Sequence, residues 1–252
     1  MPLNYAHYRF GAAMLETMPG DIRRTAKRFR RLYDVGLHGP DIFFYHNPLQ
    51  KPVLGRLFHR QTGRECFSRI CRSLRLEPSQ EAEAYLYGLL CHYVLDSVCH
   101  PFVREQREIA GHVEIETEFD RFLLELDGKI PPEKQDISLH MQLQPRECAT
   151  VARFYPGVTE RMVNAGVRNM ALATKALAKG NRWLQTGANL VGDRVRGVVM
   201  TKQPNPRCSG LNAPLLERYK QAEAVFPERL MQLSAHLTYN APLEGDFLAE
   251  FG

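Results

Sequence analysis

His92, Asp96 and His100 follow one another at intervals of four residues. On an α-helix each such step turns by about 400°, so the three side chains share one face with about 40° of drift per step. That face would otherwise continue the apolar stripe of Leu89 and Tyr93, and burying polar groups there without partners is costly. Downstream, His112 and Glu116 repeat the interval of four, so a second helix presents an imidazole and a carboxylate together. A single pair of this kind is most often a solvated helix pair, whereas two helices that face one another with such sets make a metal site. A mixed set of imidazoles and carboxylates suits zinc best, because imidazole is a good zinc ligand and the carboxylates balance charge without forming a hard oxygen cage. The Glu-x-x-His repeats of di-iron bundles and the His-Asp dipeptide of HD-type phosphohydrolases are both absent.

Three ordered motifs extend this pattern: Gly39-Pro40-Asp41-Ile42-Phe43-Phe44-Tyr45, then Gly88 through Pro101 around His92, Asp96 and His100, then His112-Val113-Glu114-Ile115-Glu116. In this order they resemble the zinc-dependent phospholipase C family, whose wider superfamily includes single-strand-specific zinc nucleases. The resemblance covers roughly residues 5–125. It implies an all-helical body around up to three zinc ions. Carried over residue by residue, it implies His7 as a ligand on the first helix, Asp41 in the Gly-Pro-Asp loop, His59 on the following segment, and His92. Asp96 would bridge two ions, and His100, His112 and Glu116 would hold another. The resemblance also assigns Asp41 as general base for the attacking water. One departure concerns the third ion: the secreted phospholipases ligate it with the amine and carbonyl of an N-terminal tryptophan, and here the chain opens Met1-Pro2. Two zinc ions are therefore expected, with a third left open.

The elements that must position these residues read as helices. Apolar spacing predicts helices over 10–18, 22–34, 55–75, 159–179 and 214–235. A further helix opens at an N-cap on Ser79 and closes at Pro101, and another runs from about Gly111 to Leu126. Gly36 to Pro52 lacks a clean period and is expected to be a packed loop; Gln203 to Pro214 is a second loop, and 238–252 reads as a tail. The expected fold is an all-α multi-helix bundle enclosing a multinuclear zinc site. One domain spans 1–252, with the ligands in 5–125 and the helices of 130–252 completing the bundle.

Composition agrees with a globular chain: of 252 residues 44% are hydrophobic and 24% charged, which excludes disorder and collagen. The longest apolar run, Ala84 to Cys91, is far shorter than the roughly 20 residues of a membrane-spanning helix. Tyr5, His7, Tyr8 and Arg9 stand where a signal peptide would be apolar, and a cytoplasmic protein is expected. Six cysteines avoid the two-residue gap of a zinc knuckle and read as reduced, mostly buried thiols. Cys91 and Cys99 are rotated about 100° from the neighbouring ligand positions and read as core. The net charge of +5 is mild. The basic run Arg23, Arg24, Lys27, Arg28, Arg30 and Arg31 reads as a solvated face in preference to a surface for anionic lipid or nucleic acid. His38 and His46 flank Asp41 but stand outside the ligand set, and Phe43, Phe44 and Tyr45 read as packing.

The function expected is a zinc-dependent phosphodiesterase acting on a small-molecule or phospholipid phosphodiester, compatible with peripheral membrane contact. The alternatives are a nuclease or phosphomonoesterase of the same superfamily, with nucleic acid as one substrate, or a zinc-holding helical scaffold without turnover.

Overall fold

The computed structural model describes residues 4–47, 52–178, 197 and 199–251, and among these the secondary structure is helical, with one isolated β-bridge. Its elements are α1 (Asn4–Thr17), α2 (Gly20–Arg28), α3 (Arg30–Gly36), a 3-10 turn over Gly39–Phe44, α4 (Val53–His59), α5 (Gly63–Leu76), α6 (Gln80–Glu105), α7 (His112–Leu126), α8 (Pro145–Ala152), α9 (Glu160–Ala178) and α10 (Asn212–Tyr239). The expected all-α bundle is the fold found.

Ser79 opens α6 as expected, its hydroxyl accepting the Ala82 N–H at 3.3 Å. From Ala82 to Leu95 nearly every side chain of α6 is buried, so this helix is apolar around its circumference and must be covered on all sides. The cover is supplied by α3 and α10 above all, with α1 and α2 beside them. The crossing of α3 over α6 is closest at two glycines: a Cβ on Gly88 would lie 2.1 Å from the Tyr33 carbonyl oxygen, and one on Gly36 2.5 Å from that of Tyr85.

Several boundaries differ from the sequence reading, each for a tertiary reason. The first helix begins at Asn4, not near 10, because the Asp120 carboxylate accepts the N–H groups of Tyr5 and Ala6 at 3.0 and 2.9 Å. The expected helix over 22–34 breaks at Phe29, whose ψ of 47° separates α2 from α3 and lets Ala26 and the Leu32–Tyr33 pair both reach the core. The stretch 55–75 is two helices. Thr62 stops one and caps the next through a reciprocal bond pair with Glu65, and Gly63 N–H donates to Ala249 O at 2.9 Å. Pro101 does not close α6. It lies on the exposed side, and burial of Val103 carries the helix on to Glu105. The short helix α8 has no counterpart in the sequence reading, and the end of the expected 159–179 helix falls outside the described residues.

Residues 238–252 are no loose tail. Phe247 and Phe251 are buried, Phe247 stacks on Tyr93 at 5.7 Å, and the Tyr93 hydroxyl donates to the carbonyl oxygens of Asp246 and Ala249. The basic run on α2 and α3 is largely paired, with Lys27 on Glu16, Arg30 on Asp34 and Arg31 on Glu147, in line with a solvated face.

The glycine crossing gives a direct test. Gly88→Ala forces a methyl against backbone that cannot rotate away and is expected to destabilise by about 3 kcal/mol, the upper range for overpacking. Gly210→Ala meets open space and should stay within about 0.5 kcal/mol of wild type. Denaturant midpoints at unchanged slope decide this.

Candidate metal centre

All eight residues named from the sequence come together between α1, the 3-10 turn, α4, α6 and α7. His7 is on the second turn of α1, Asp41 on the 3-10 turn, and His59 is the last residue of α4; His92, Asp96 and His100 descend one face of α6, and His112 and Glu116 that of α7. Asp96 is the hub. Its carboxylate lies 3.1 Å from His7 Nε2, 3.2 Å from His92 Nε2 and 3.4 Å from His100 Nε2. Asp41 Oδ1 is 2.9 Å from His59 Nε2. Glu116 Oε1 is 3.2 Å from His100 Nε2 and 2.8 Å from His112 Nε2. Ligand atoms converge to within 4.8 Å in three groups, His7/Asp41/His92, His59/His92/Asp96 and His100/His112/Glu116. The first two groups share His92, and Asp96 reaches from there toward His100.

Local sequence explains the delivery of each group. Gly39 has a φ of +42° and a Cβ there would sit 2.7 Å from the His92 ring, so only glycine lets the Asp41 turn press on α6. Gly55 lies under the Phe44 ring, which seats α4 and its terminal His59 against that turn.

The tautomers show what the centre lacks in protons. His92 Nδ1 is 3.2 Å from the Leu37 carbonyl oxygen and His59 Nδ1 is 2.7 Å from that of Gly55. A carbonyl oxygen only accepts, so both Nδ1 atoms carry hydrogen, and a ring that holds this one proton turns a bare Nε2 toward a carboxylate. Two acceptors so placed repel unless a cation lies between them. His92 Nε2 is sealed from solvent and makes no hydrogen bond.

Protons alone serve this arrangement poorly. Burial and the neighbouring His92, whose ring stacks on it at 4.4 Å, push the His7 imidazole below its ordinary range. Burial also works against charge on His92 and His100, though Asp96 lifts both. Burial would raise all three carboxylates. It is overcome at Asp41 by the His59 imidazole 2.9 Å away, at Asp96 by His100, His92 and His7, and at Glu116 by His112 and His100, so each stays ionised. Buried carboxylates facing lone pairs that cannot all be protonated are the setting in which divalent cations bind, and imidazole with carboxylate is a zinc donor set. The residues present fit zinc.

Other expectations fall into place around this. His46 bonds the Phe43 carbonyl and His38 bonds His140, both outside the three groups. Phe43 packs on Phe58 and Tyr155. Cys91 contacts the Tyr33 hydroxyl and Cys99 is buried in the core. The sequence reading missed Asp120, although 112, 116 and 120 repeat the interval of four that marks 92, 96 and 100. Burial raises its pKa to about 8 against the pull of two backbone N–H groups, and through them it ties α1, which carries His7, to α7.

The architecture is thus that of a helical protein built around a buried cluster of imidazoles and carboxylates that could hold metal ions. A family model described as zinc dependent phospholipase C matches residues 6–155, and the chain belongs to that family. All eight residues lie inside the matched segment, which also takes in the loop after α7 and the whole of α8. No curated protein and no solved structure matches the chain.

Loss of bound zinc should lower thermal stability, because an ion held at a thousandfold its dissociation constant stabilises the folded state by about 4 kcal/mol. Melting curves with and without chelator are expected to separate for wild type and for His46→Ala. The separation should shrink in His92→Ala and in His112→Ala, each of which removes a ligand from one side of the centre.

Proposed function

We propose that the chain hydrolyses a phosphodiester in the manner of a phospholipase C, using two or three zinc ions and Asp41 as general base. One observation carries this reading. Eight imidazole and carboxylate side chains gather as three groups, two of which share His92, whereas a structural zinc site closes around four ligands, commonly cysteines. Among the described residues no cysteine enters these groups. A scaffold that only held zinc for stability would have no use for the surplus.

Zinc in such a centre lowers the pKa of a water toward neutrality and offsets charge on phosphoryl oxygens. The protein's own contribution is orientation. His59 and His92 are locked by the carbonyls of Gly55 and Leu37, so their Nε2 atoms are fixed before any ligand arrives. Asp41 has one carboxylate oxygen engaged by His59, and its second oxygen is assigned the proton of the attacking water. His112 is the most open of the eight, with about a quarter of its side chain exposed, and the substrate is placed at that edge.

The substrate class proposed is a phospholipid or a smaller phosphodiester, with peripheral contact at a membrane surface; among the described residues no helix is long and apolar enough to cross one. The pairing of the basic run with Glu16, Asp34 and Glu147 gives no support to a nucleic-acid substrate. A reducing, cytoplasmic setting belongs to the same proposal. All six cysteines are buried, and burial pushes the thiols of Cys66, Cys71 and Cys91 up to about 12, which suits inert packing residues.

The decisive variant is Asp41→Asn, which keeps size and one oxygen while removing charge and basicity. It is expected to retain most of its zinc and to lose turnover by about 10²-fold or more. Head-group release from choline, ethanolamine, glycerol and inositol phospholipids, read beside zinc content on the same sample, measures both. Turnover near wild type at equal zinc would remove Asp41 as base. A wild-type chain that holds zinc without acting on these lipids or on single-stranded nucleic acid would leave the scaffold reading.

A further inference from the structure

His38 stands outside the three ligand groups, yet it is buried and its Nε2 lies 2.6 Å from Nε2 of His140. The two rings stack with centroids 4.9 Å apart, and His140 stacks in turn on Tyr8 at 4.2 Å. Burial holds both imidazoles neutral, pushing His140 down to about 3 and His38 well below its ordinary range, so one ring donates and the other accepts.

The position of this pair gives it leverage. His38 precedes the 3-10 turn, and its carbonyl oxygen accepts the Asp41 N–H at 2.9 Å. Gly39, the next residue, is the one pressed against the His92 ring. Tyr8 follows His7 on α1. His140 itself sits on the long connection between α7 and α8, 127–144, folded near it by Asp136 accepting from both the backbone and hydroxyl of Ser138. One imidazole from that separate loop therefore touches the chain neighbours of two members of the His7/Asp41/His92 group. Among the described residues the hydrogen bond and ring stacks of His38 and His140 are with each other and with Tyr8, whereas His100 and His112 stand against Glu116 and each other.

We infer that His140 is a positioning residue of the metal centre: through its bond to His38 and its stack on Tyr8 it fixes the turn that delivers Asp41 and the helix that delivers His7. It thereby sets the affinity of that side of the centre for its ion without affecting the His100/His112/Glu116 side. The inference rests on the zinc reading proposed above and adds a residue that belongs to no ligand group.

The test is a titration of metal-free full-length protein with zinc, and with cobalt as a spectroscopic probe, against a competing chelator. Wild type is expected to show at least two affinity classes, and His112→Ala identifies the class that belongs to its own side by abolishing it. His140→Phe keeps an aromatic ring for the stack and removes the bond. It should weaken the other class by about 10- to 100-fold, as loss of outer-shell support does at metal sites, with the His112 class unchanged. His140→Gln, which restores a donor and an acceptor, should recover most of the loss, an outcome that mere filling of space would not produce. If His140→Phe does not fold, His38→Gln breaks the same bond from its other end and must show the same selective loss. Equal weakening of both classes, no weakening of either, or a Gln variant no better than Phe would overturn the inference while leaving the zinc reading intact. A wild-type chain that takes up no ion would overturn both, and it shows itself before any variant is made.

Discussion

The rest of the structure depends on one buried carboxylate. Asp96 is 2% exposed in the middle of a helix whose other faces are apolar, and an ion there without compensation is prohibitively expensive. Compensation has to come from groups fixed at short range, and three imidazoles from two helices lie within 3.4 Å of it. Each of these must be anchored by something else, since a ring free to rotate gives back what it contributes. Anchoring His7 needs the α1 start to be held, which Asp120 does by accepting the N–H groups of Tyr5 and Ala6. Anchoring His92 needs the Leu37 carbonyl at the end of α3, and this in turn needs the glycine crossing of α3 on α6. The order of dependence runs from one charge outward to the packing of whole helices.

A helix that carries charge inward cannot also present a wet face, and α6 does not. Its far side is covered by α10 and by the C-terminal segment, where Phe247 and Phe251 close over Tyr93. The same Tyr93 hydroxyl satisfies the carbonyl oxygens of Asp246 and Ala249, so the irregular backbone of the chain's end leaves few polar groups orphaned. Residues beyond 200 contribute none of the candidate ligands and still set the dielectric around them. Glu118, on the outer side of α7, accepts the Asn205 N–H and the Asn212 amide as well as Arg121. The helix that carries His112 and Glu116 is thereby held from behind.

The centre was legible in the sequence to the extent that it is periodic. Intervals of four placed His92, Asp96 and His100 on one face and His112 with Glu116 on another, and both faces meet as the spacing requires. His7, Asp41 and His59 have no partner at helical spacing, and only the ordered motifs of a family pointed to them. Asp120 continued a visible series and was passed over, because nothing local reveals that the backbone of a helix start lies opposite it. Helix ends were least legible where tertiary contacts decide them. Phe29 breaks a good helical pattern so that two short helices can bury their faces, and Pro101 fails to break one because it lies on the exposed side and the burial of Val103 beyond it carries the helix on. Leu243, Phe247 and Phe251 recur at intervals of four and are buried, yet this docked segment was read as a tail.

The two ends of the centre differ in access, and the difference follows from where their residues fall along the helices. His92 and Asp96 are deep in the 26-residue α6, where the helices and the 3-10 turn packed on it shut out water. His112 is the first residue of α7, so no preceding turn covers it, and its side chain keeps about a quarter of its surface. A helix start also leaves N–H groups unpaired and carries partial positive charge, which favours an anion at that edge. A phosphoryl group approaching the centre from this side meets a helix N-terminus and an accessible imidazole first, and the ionised Asp41 and Asp96 lie behind them. An approach through α6 would have to displace packed side chains. Under the reaction proposed here, helix register would give the substrate a direction: an anionic phosphodiester would enter where α7 begins, with Asp41 and Asp96 on the buried side.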